Sequence, residues 1–122
     1  MSARPLVLLV EDDRLLRQAF RILLEDAGYR VREAGSGGEA LEAAEEGPAA
    51  IVLDLGLPDQ PGLDVCRALR EHPATRNAVI IALTGRAGAA ERRACLEAGC
   101  TLYFAKPVEP RELLRRLAGL LP

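Results

Sequence analysis

Residues 50 to 62 read Ala-Ile-Val-Leu-Asp-Leu-Gly-Leu-Pro-Asp-Gln-Pro-Gly, an apolar run that ends in one carboxylate, Asp54, and continues as a glycine- and proline-rich loop. Such a run is typical of a strand that is covered on both faces of a parallel sheet. An ionised carboxylate at the end of a buried strand is costly unless a cation or several donors contact it. The segment therefore predicts a buried strand and a site built around Asp54.

Strand and helix patterns alternate five times along the whole chain. Strands are predicted at 6–10, 29–34, 49–55, 78–83 and 101–105, and helices at 14–27, from Ser36 to before Gly47, at 63–71, at 89–98 and from Pro110 onward. The first, third and fourth strands are wholly apolar, whereas the second and fifth are mixed and suit sheet edges. The pattern predicts an α/β fold, a flavodoxin-like five-stranded parallel sheet of order 2-1-3-4-5 with five helices on both faces.

Length and composition fit one compact domain, residues 1–122, that is too small for a core plus a separate output module. A net charge of -2 does not favour a direct nucleic-acid role. The first apolar run is too short for a signal peptide or membrane span, so we expect a cytoplasmic protein. Cys66, Cys95 and Cys100 lack the spacing of metal ligands and are predicted to be inert core thiols rather than disulfides.

The predicted topology brings several reactive side chains to one edge of the sheet, because the strands of a parallel sheet all end there. They are Glu11, Asp12, Asp54, Thr84 and Lys106. Clustered carboxylates repel one another unless they share a hard cation, and oxygen ligands suit Mg²⁺ or Mn²⁺. A carboxylate nucleophile beside a cation and hydrogen-bond donors favours a phosphoryl group as the substrate.

Lys106 is also the only lysine among the 16 basic residues of the chain. An ammonium group differs chemically from a guanidinium, so this lysine indicates either a positional demand or chance, and the sequence favours neither.

Four motifs carry a resemblance that spans nearly the whole chain. They are Glu11-Asp12 at the end of the first strand, residues 51–58 with Gly62, the Ile-Ala-Leu-Thr-Gly segment at 81–85, and Ala-Lys-Pro at 105–107. Together they resemble a response-regulator receiver domain, the phosphoacceptor module of two-component signalling. The resemblance implies a switch that takes a phosphoryl group from a phosphohistidine of a histidine kinase or phosphotransfer domain. Phosphorylation would then shift the surface formed by the fourth helix, fifth strand and fifth helix toward partner binding.

The resemblance also implies roles for the acidic residues. Asp54 would accept the phosphoryl group, Asp12 would bind the divalent ion directly, and Glu11 would bind it through water. The backbone carbonyl of Gly56 would be a further metal ligand. The protein would catalyse its own phosphorylation and slow dephosphorylation, and would not be an enzyme that turns over a separate substrate.

Other candidate roles fall on residues of, or just after, the third, fourth and fifth strands. Thr84 would hydrogen-bond the phosphoryl group and act as a switch together with Tyr103, although Tyr103 also fits a simple edge-strand ring. Lys106 would pair with the phosphoryl group, and the bond between Lys106 and Pro107 is a candidate cis peptide. Gly56 and Arg86 flank the path of a hydrolytic water and are candidates for setting the phosphoryl lifetime, although Arg86 also fits a solvated side chain.

The histidine donor must be another protein, because His72 is the only histidine and precedes a proline at a predicted helix end, where a surface cap is expected. The predicted docking surface is the first helix, although some of its apolar residues must belong to the core; the candidates are Arg14, Leu15, Gln18, Ala19 and Ile22. The last two helices carry basic patches that suit either an acidic output partner or plain solvation, namely Arg92, Arg93, Arg111, Arg115 and Arg116.

Three alternative functions fit the sequence less well. A haloacid-dehalogenase-type phosphatase would need an acid two residues after the nucleophile, where this chain has Gly56. A flavodoxin-type cofactor binder would need a phosphate-binding loop after the first strand, where acids would repel phosphate. A pseudo-receiver that only binds partners would not need the acidic pair, Thr84 and Lys106. A free-standing regulator and a receiver from a larger protein fit equally well.

Overall fold

The structure is a computed structural model that describes residues 4 to 121. In this part of the chain, five strands alternate with five α-helices, and one short 3-10 turn follows the second helix. The elements are β1 (Leu6–Val10), α1 (Arg14–Asp26), β2 (Arg30–Ala34), α2 (Gly37–Ala43), β3 (Ala50–Asp54), α3 (Gly62–Glu71), β4 (Val79–Thr84), α4 (Ala89–Ala98), β5 (Leu102–Ala105) and α5 (Pro110–Leu120).

The five strands form one parallel sheet in the order β2-β1-β3-β4-β5. This order confirms the predicted fold, including the two mixed strands at the edges. Every residue of β3 is buried, because strands flank it and helices cover both of its faces. In the ladder, Asp54 lies opposite Leu83 and Thr84 lies opposite Ala105, so the carboxyl ends of β3, β4 and β5 meet at one edge.

The helices pack on both faces of the sheet, as the alternation predicted. On one face, α1 and α5 contribute buried side chains such as Phe20 and Leu113. On the other face, α2, α3 and α4 pack around Val65, Leu69 and Cys95. Burying one leucine such as Leu69 stabilises the fold by roughly 1.5–3 kcal/mol relative to exposure. No helix between residues 4 and 121 combines the length and apolar character that a membrane span needs.

The second helix is shorter than predicted. It ends at Ala43 and is followed by a 3-10 turn, Ala44–Glu46, before Gly47 adopts the left-handed conformation with φ 68°. Ser36 caps the helix by accepting a hydrogen bond from the Glu39 N–H at 3.1 Å, as the capping pattern predicted. The bounds of the other elements differ from the predicted ones by at most one residue at either end.

The three cysteines are buried and free, which confirms that they are core thiols rather than disulfides. Nothing in the sequence pattern predicted that two of them touch. The Sγ atoms of Cys66 on α3 and Cys100 before β5 lie 3.4 Å apart, and Cys66 Sγ also contacts the Ala98 carbonyl at 3.3 Å. The thiols thus pack α3 against the segment that leads from α4 into β5.

Candidate functional site

Three carboxylates meet at the carboxyl ends of β1 and β3. Oxygen atoms of Glu11, Asp12 and Asp54 lie within 4.8 Å of one another. Glu11 and Asp54 are buried, with 3% and 2% of their surface exposed, whereas Asp12 is exposed to solvent. The cluster forms because β1 and β3 are neighbours in the sheet. The structure therefore brings together the three side chains that were predicted to bind a metal.

Glu11 is the most unusual member of this cluster. Its Oε2 accepts a hydrogen bond from the Asp13 N–H at 3.1 Å, but its buried Oε1 has no hydrogen-bond partner among the described residues. Burial raises the pKa of Glu11 from 4.5 to about 7, and the neighbouring Asp54 adds to this increase. Mg²⁺ prefers oxygen ligands such as carboxylates, and the unpartnered Oε1 of Glu11 is available to contact such an ion or its water. The residues present thus fit the predicted divalent ion.

Asp54 is held by two donors on the same oxygen. The Lys106 Nζ donates to Asp54 Oδ1 at 2.7 Å, and the Gly56 N–H donates to the same atom at 3.0 Å. Burial lowers the pKa of Lys106, but the hydrogen bond and charge of Asp54 outweigh it, so the pKa is raised on balance. Both donors bind Oδ1, which leaves Oδ2 available for a different contact.

Lys106 is positioned by the backbone at the end of β5. Its N–H donates to the Thr84 carbonyl at 2.7 Å, which ties the segment after β5 to the end of β4. The peptide bond between Lys106 and Pro107 is cis. The lone lysine of the chain therefore lies within hydrogen-bonding distance of the Asp54 carboxylate.

Thr84 is buried at the end of β4, and its hydroxyl group points to α4. The Thr84 Oγ1 donates to Glu91 Oε1 at 3.1 Å and accepts a hydrogen bond from the Arg86 N–H at 3.1 Å. Glu91 lies in the first turn of α4 and was not singled out from the sequence. The hydroxyl group that was predicted to bind a phosphoryl group thus donates its hydrogen bond to the Glu91 carboxylate in this structure.

An open cavity of about 610 Å³ lies between the loop after β3 and the first turn of α4. The two residues that were predicted to affect the phosphoryl lifetime, Gly56 and Arg86, both line it. The other lining residues include Leu55, Pro61, Gly62, Leu63, Thr84, Gly85 and Glu91. The structure therefore places both lifetime candidates at the same cavity, and of the two Gly56 contacts Asp54 through its N–H.

Tyr103 lies outside this cluster, on β5. It is half-buried and packs against the core on the side of α2, α3 and α4. It also lines an open groove with Ala89, Arg92 and Leu96 of α4. Tyr103 therefore lies between β5 and the surface of α4. Its switch role stays a prediction.

The outer face of α1 carries apolar side chains that the core does not use. Leu15 is 78% exposed and Ile22 is 53% exposed, whereas Phe20 and Leu24 of the same helix are buried. Arg14 and Ala19 are also exposed, and Gln18 is half-buried. An apolar groove of about 490 Å³ continues from this face toward the segment that follows β5. It is lined by Leu16, Ala19, Phe20, Leu23, Leu83, Lys106, Pro107, Val108 and Pro110.

The remaining polar candidates lie at the surface. His72 ends α3, and its Nδ1 accepts a hydrogen bond from the Ala74 N–H at 3.0 Å, as expected for a cap. Of the basic residues on the last two helices, Arg115 is paired with Glu112 at 2.6 Å. Part of the basic charge on α5 is therefore neutralised locally.

Besides Glu91, two further residues that support the site were not predicted from the sequence. The Arg17 Nη1 donates to the Glu11 carbonyl at 2.7 Å and so fixes the turn that carries the acids. Asp59 accepts hydrogen bonds from the N–H groups of Gly37 and Gly38 at 2.9 and 3.0 Å, which lower its pKa and tie the loop after β3 to α2. Two glycines at a helix start and an acid in a facing loop were the only sequence signal for the second contact.

Comparison with known proteins covers almost the whole chain. The family model described as response regulator receiver domain matches residues 7–118. The response regulator MprA of Mycobacterium ulcerans is 43% identical over 122 residues, which cover 99% of this chain and 51% of MprA. The chain spans about half the length of the curated relatives it matches.

Solved structures agree with this match. The chemotaxis protein CheY4 of Vibrio cholerae superposes with a TM-score of 0.91 at 31% identity, covering 98% of this chain and 100% of CheY4. The receiver domain of the sensor histidine kinase PA1611 from Pseudomonas aeruginosa gives a TM-score of 0.85 at 36% identity, covering 96% and 97% of the two chains. That structure has a magnesium ion coordinated in the active site cleft. The chain described here therefore belongs to the response regulator receiver domain family of two-component systems.

Proposed function

We propose that this chain is a phosphoacceptor switch. It accepts a phosphoryl group on Asp54 from the phosphohistidine of a histidine kinase or phosphotransfer domain, and the phosphorylated form presents a changed α4-β5-α5 surface to a downstream protein. The observation that carries this proposal is the buried Asp54 carboxylate, bound on one oxygen by Lys106 at 2.7 Å and set beside two further acids. A buried cluster of this kind is costly for stability alone, which supports a role in chemistry.

The transfer itself follows from the geometry around Asp54. The free Oδ2 attacks the phosphorus atom as the bond between phosphorus and the donor imidazole nitrogen breaks, and the imidazole takes up a proton. Glu11, Asp12, Asp54 and the Gly56 carbonyl would hold Mg²⁺ or Mn²⁺, Glu11 through water. When bound, the ion supplies positive charge that offsets the charge of the phosphoryl oxygens. Lys106 holds the carboxylate and supplies a second positive charge.

The same geometry favours a switch over a turnover enzyme. The residue two positions after the acceptor is Gly56, which has no side chain to act as an acid or base for rapid hydrolysis. The acyl phosphate adds roughly 1.5 to 2 negative charges at the sheet edge. We infer that Thr84 moves toward this charge and that Tyr103 follows it, which changes the groove between β5 and α4.

The partner that donates the phosphoryl group is proposed to bind the exposed face of α1. The Leu15→Asp variant should slow transfer from a phosphohistidine donor about tenfold, because a charge would replace an exposed apolar contact. Its rate with acetyl phosphate should stay within about twofold of the parent, since a small donor does not use this surface. Both rates can be measured by phosphate-affinity gel electrophoresis.

A matched control for this surface is Leu96→Asp, which alters an apolar residue of α4 that is 51% exposed. This variant should keep the parent rate with both donors. Equal loss of transfer in Leu15→Asp and Leu96→Asp would argue against α1 as the docking surface.

Arg86 is proposed to cover part of the path that a hydrolytic water takes to the phosphoryl group. The Arg86→Ala variant should therefore lose its phosphoryl group roughly threefold faster than the parent. The decay can be followed by phosphate release after the donor is removed, with Arg111→Ala, an exposed arginine of α5 that does not line this cavity, as the control. Equal decay rates in the parent and Arg86→Ala would remove this role.

The proposed setting is the cytoplasm, with proteins as partners. The low net charge and the partial pairing of the arginines on α5 do not support direct binding of nucleic acid.

A further inference from the structure

The hydroxyl group of Thr84 has a single hydrogen atom to donate, and Glu91 accepts that hydrogen bond. The Thr84 Oγ1 donates to Glu91 Oε1 at 3.1 Å, while the Arg86 N–H donates to the same Oγ1. A threonine hydroxyl donates only one hydrogen bond at a time. Thr84 therefore cannot donate to Glu91 and to a phosphoryl oxygen on Asp54 simultaneously.

The first turn of α4 has little else to hold it against the rest of the protein. Its N-cap, Gly88, makes no side-chain capping bond, unlike the N-caps of α1, α2 and α5. The buried residues of α4, Cys95 and Ala98, lie in its second half, whereas Ala89 and Ala90 are exposed. A segment with few buried contacts opens more easily than the core. The hydrogen bond from Thr84 thus ties a weakly anchored turn to the end of β4.

Charge around the cavity also favours breaking the hydrogen bond between Thr84 and Glu91. Glu91 and Gly56 line the same opening, so a carboxylate of α4 faces the loop that follows the acceptor. A phosphoryl group on Asp54 would attract the Thr84 hydroxyl hydrogen and repel the Glu91 carboxylate. Both effects act to break the same hydrogen bond.

We propose that Glu91 is a positioning residue that holds the Thr84 hydroxyl toward α4 in the unphosphorylated protein. Switching then requires this hydrogen bond to break, and its loss releases the first turn of α4. Glu91 thereby sets how readily phosphorylation converts the domain to its active form. This inference rests on the proposed function, because it takes Asp54 as the acceptor.

The test uses beryllium fluoride, an analogue of the phosphoryl group, in saturating Mg²⁺. Affinity is measured by isothermal titration calorimetry on the full chain. Glu91→Ala should bind the analogue about three- to tenfold more tightly than the parent, because the competing hydrogen bond is absent. Glu91→Gln keeps a neutral acceptor, which binds the Thr84 hydroxyl more weakly than a carboxylate does. The affinity of this variant for beryllium fluoride should therefore lie between those of the parent and Glu91→Ala.

Two controls separate positioning from a structural effect on α4. Glu97→Ala removes an exposed acid from the same helix and should stay within about twofold of the parent. In a Thr84→Val background, which lacks the hydroxyl, Glu91→Ala should raise the affinity clearly less than it does in the parent background, because only the repulsion by the Glu91 charge is then removed. A purely structural effect of Glu91 on the helix would persist in that background.

The outcomes distinguish this inference from the proposed function. If the parent binds beryllium fluoride and Glu91→Ala does not bind it more tightly, Glu91 does not restrain Thr84. The same conclusion follows if the gain is undiminished without the Thr84 hydroxyl. If the parent does not bind beryllium fluoride in Mg²⁺, the phosphoacceptor function fails and the inference fails with it.

Discussion

The Asp54→Asn variant is expected to accept no phosphoryl group, with a signal at least about 100-fold below that of the parent. An amide of the same size fits the buried position but lacks the negatively charged oxygen that attacks phosphorus. Lys106 loses its ionic partner, and the repulsion with Glu11 is relieved, so the fold should persist. Incorporation from acetyl phosphate in Mg²⁺ can be measured by intact-protein mass spectrometry.

Asp64→Asn is the matched control for this variant. Asp64 is an exposed acid of α3 that pairs with Arg67 at 2.9 Å, and such surface pairs contribute about 0–1 kcal/mol. This variant should incorporate one phosphoryl group as the parent does. A phosphorylated Asp54→Asn protein would show that a different side chain is the acceptor.

The second large effect is expected for Asp12→Asn. Asp12 is the exposed member of the acid cluster, so its replacement should change the free energy of unfolding by less than about 0.5 kcal/mol. The phosphorylation rate with acetyl phosphate should nevertheless fall about 10- to 100-fold, because a neutral amide is a much weaker ligand for Mg²⁺. The measurement is the initial rate across a series of MgCl₂ concentrations.

Asp26→Asn, at the exposed end of α1, should retain the Mg²⁺ dependence of the parent. Asp13 is unsuitable as a control, because it is the N-cap of α1 and its loss would weaken the helix. If Asp12→Asn follows the parent at every Mg²⁺ concentration, the acid cluster is not the metal site.

The fold could be predicted because buried strands are recognisable in the sequence by their apolar residues. β1, β3 and β4 are apolar at nearly every position, since helices cover both of their faces, whereas β2 at the sheet edge mixes charged and apolar residues. The end of α2 could not be predicted in the same way. An α-helix and a 3-10 turn can both precede a glycine such as Gly47, so the cap does not reveal where the hydrogen-bond pattern changes.

Some residues of the candidate site could likewise be predicted from the sequence, and others could not. Asp54 and Thr84 end strands and Lys106 directly follows one, so the sheet topology alone predicts that they lie at the same edge. The contacts of Arg17 and Glu91 depend on how each helix turns back toward the end of the strand before it and on the side-chain conformation that results. Strand order does not contain that information, and an acid in the first turn of a helix is explained equally well by the helix dipole.

The central claim is that Asp54 accepts a phosphoryl group in a metal-dependent reaction. The most direct measurement is to incubate the parent with acetyl phosphate, with Mg²⁺ or with EDTA, and to reduce the product with borohydride, which converts an acyl phosphate on aspartate to homoserine. Peptide mass spectrometry then locates the reduced residue. We expect homoserine at position 54 in Mg²⁺ and unmodified Asp54 in EDTA. Reduction at another carboxylate, at none, or equally in both conditions would contradict the account.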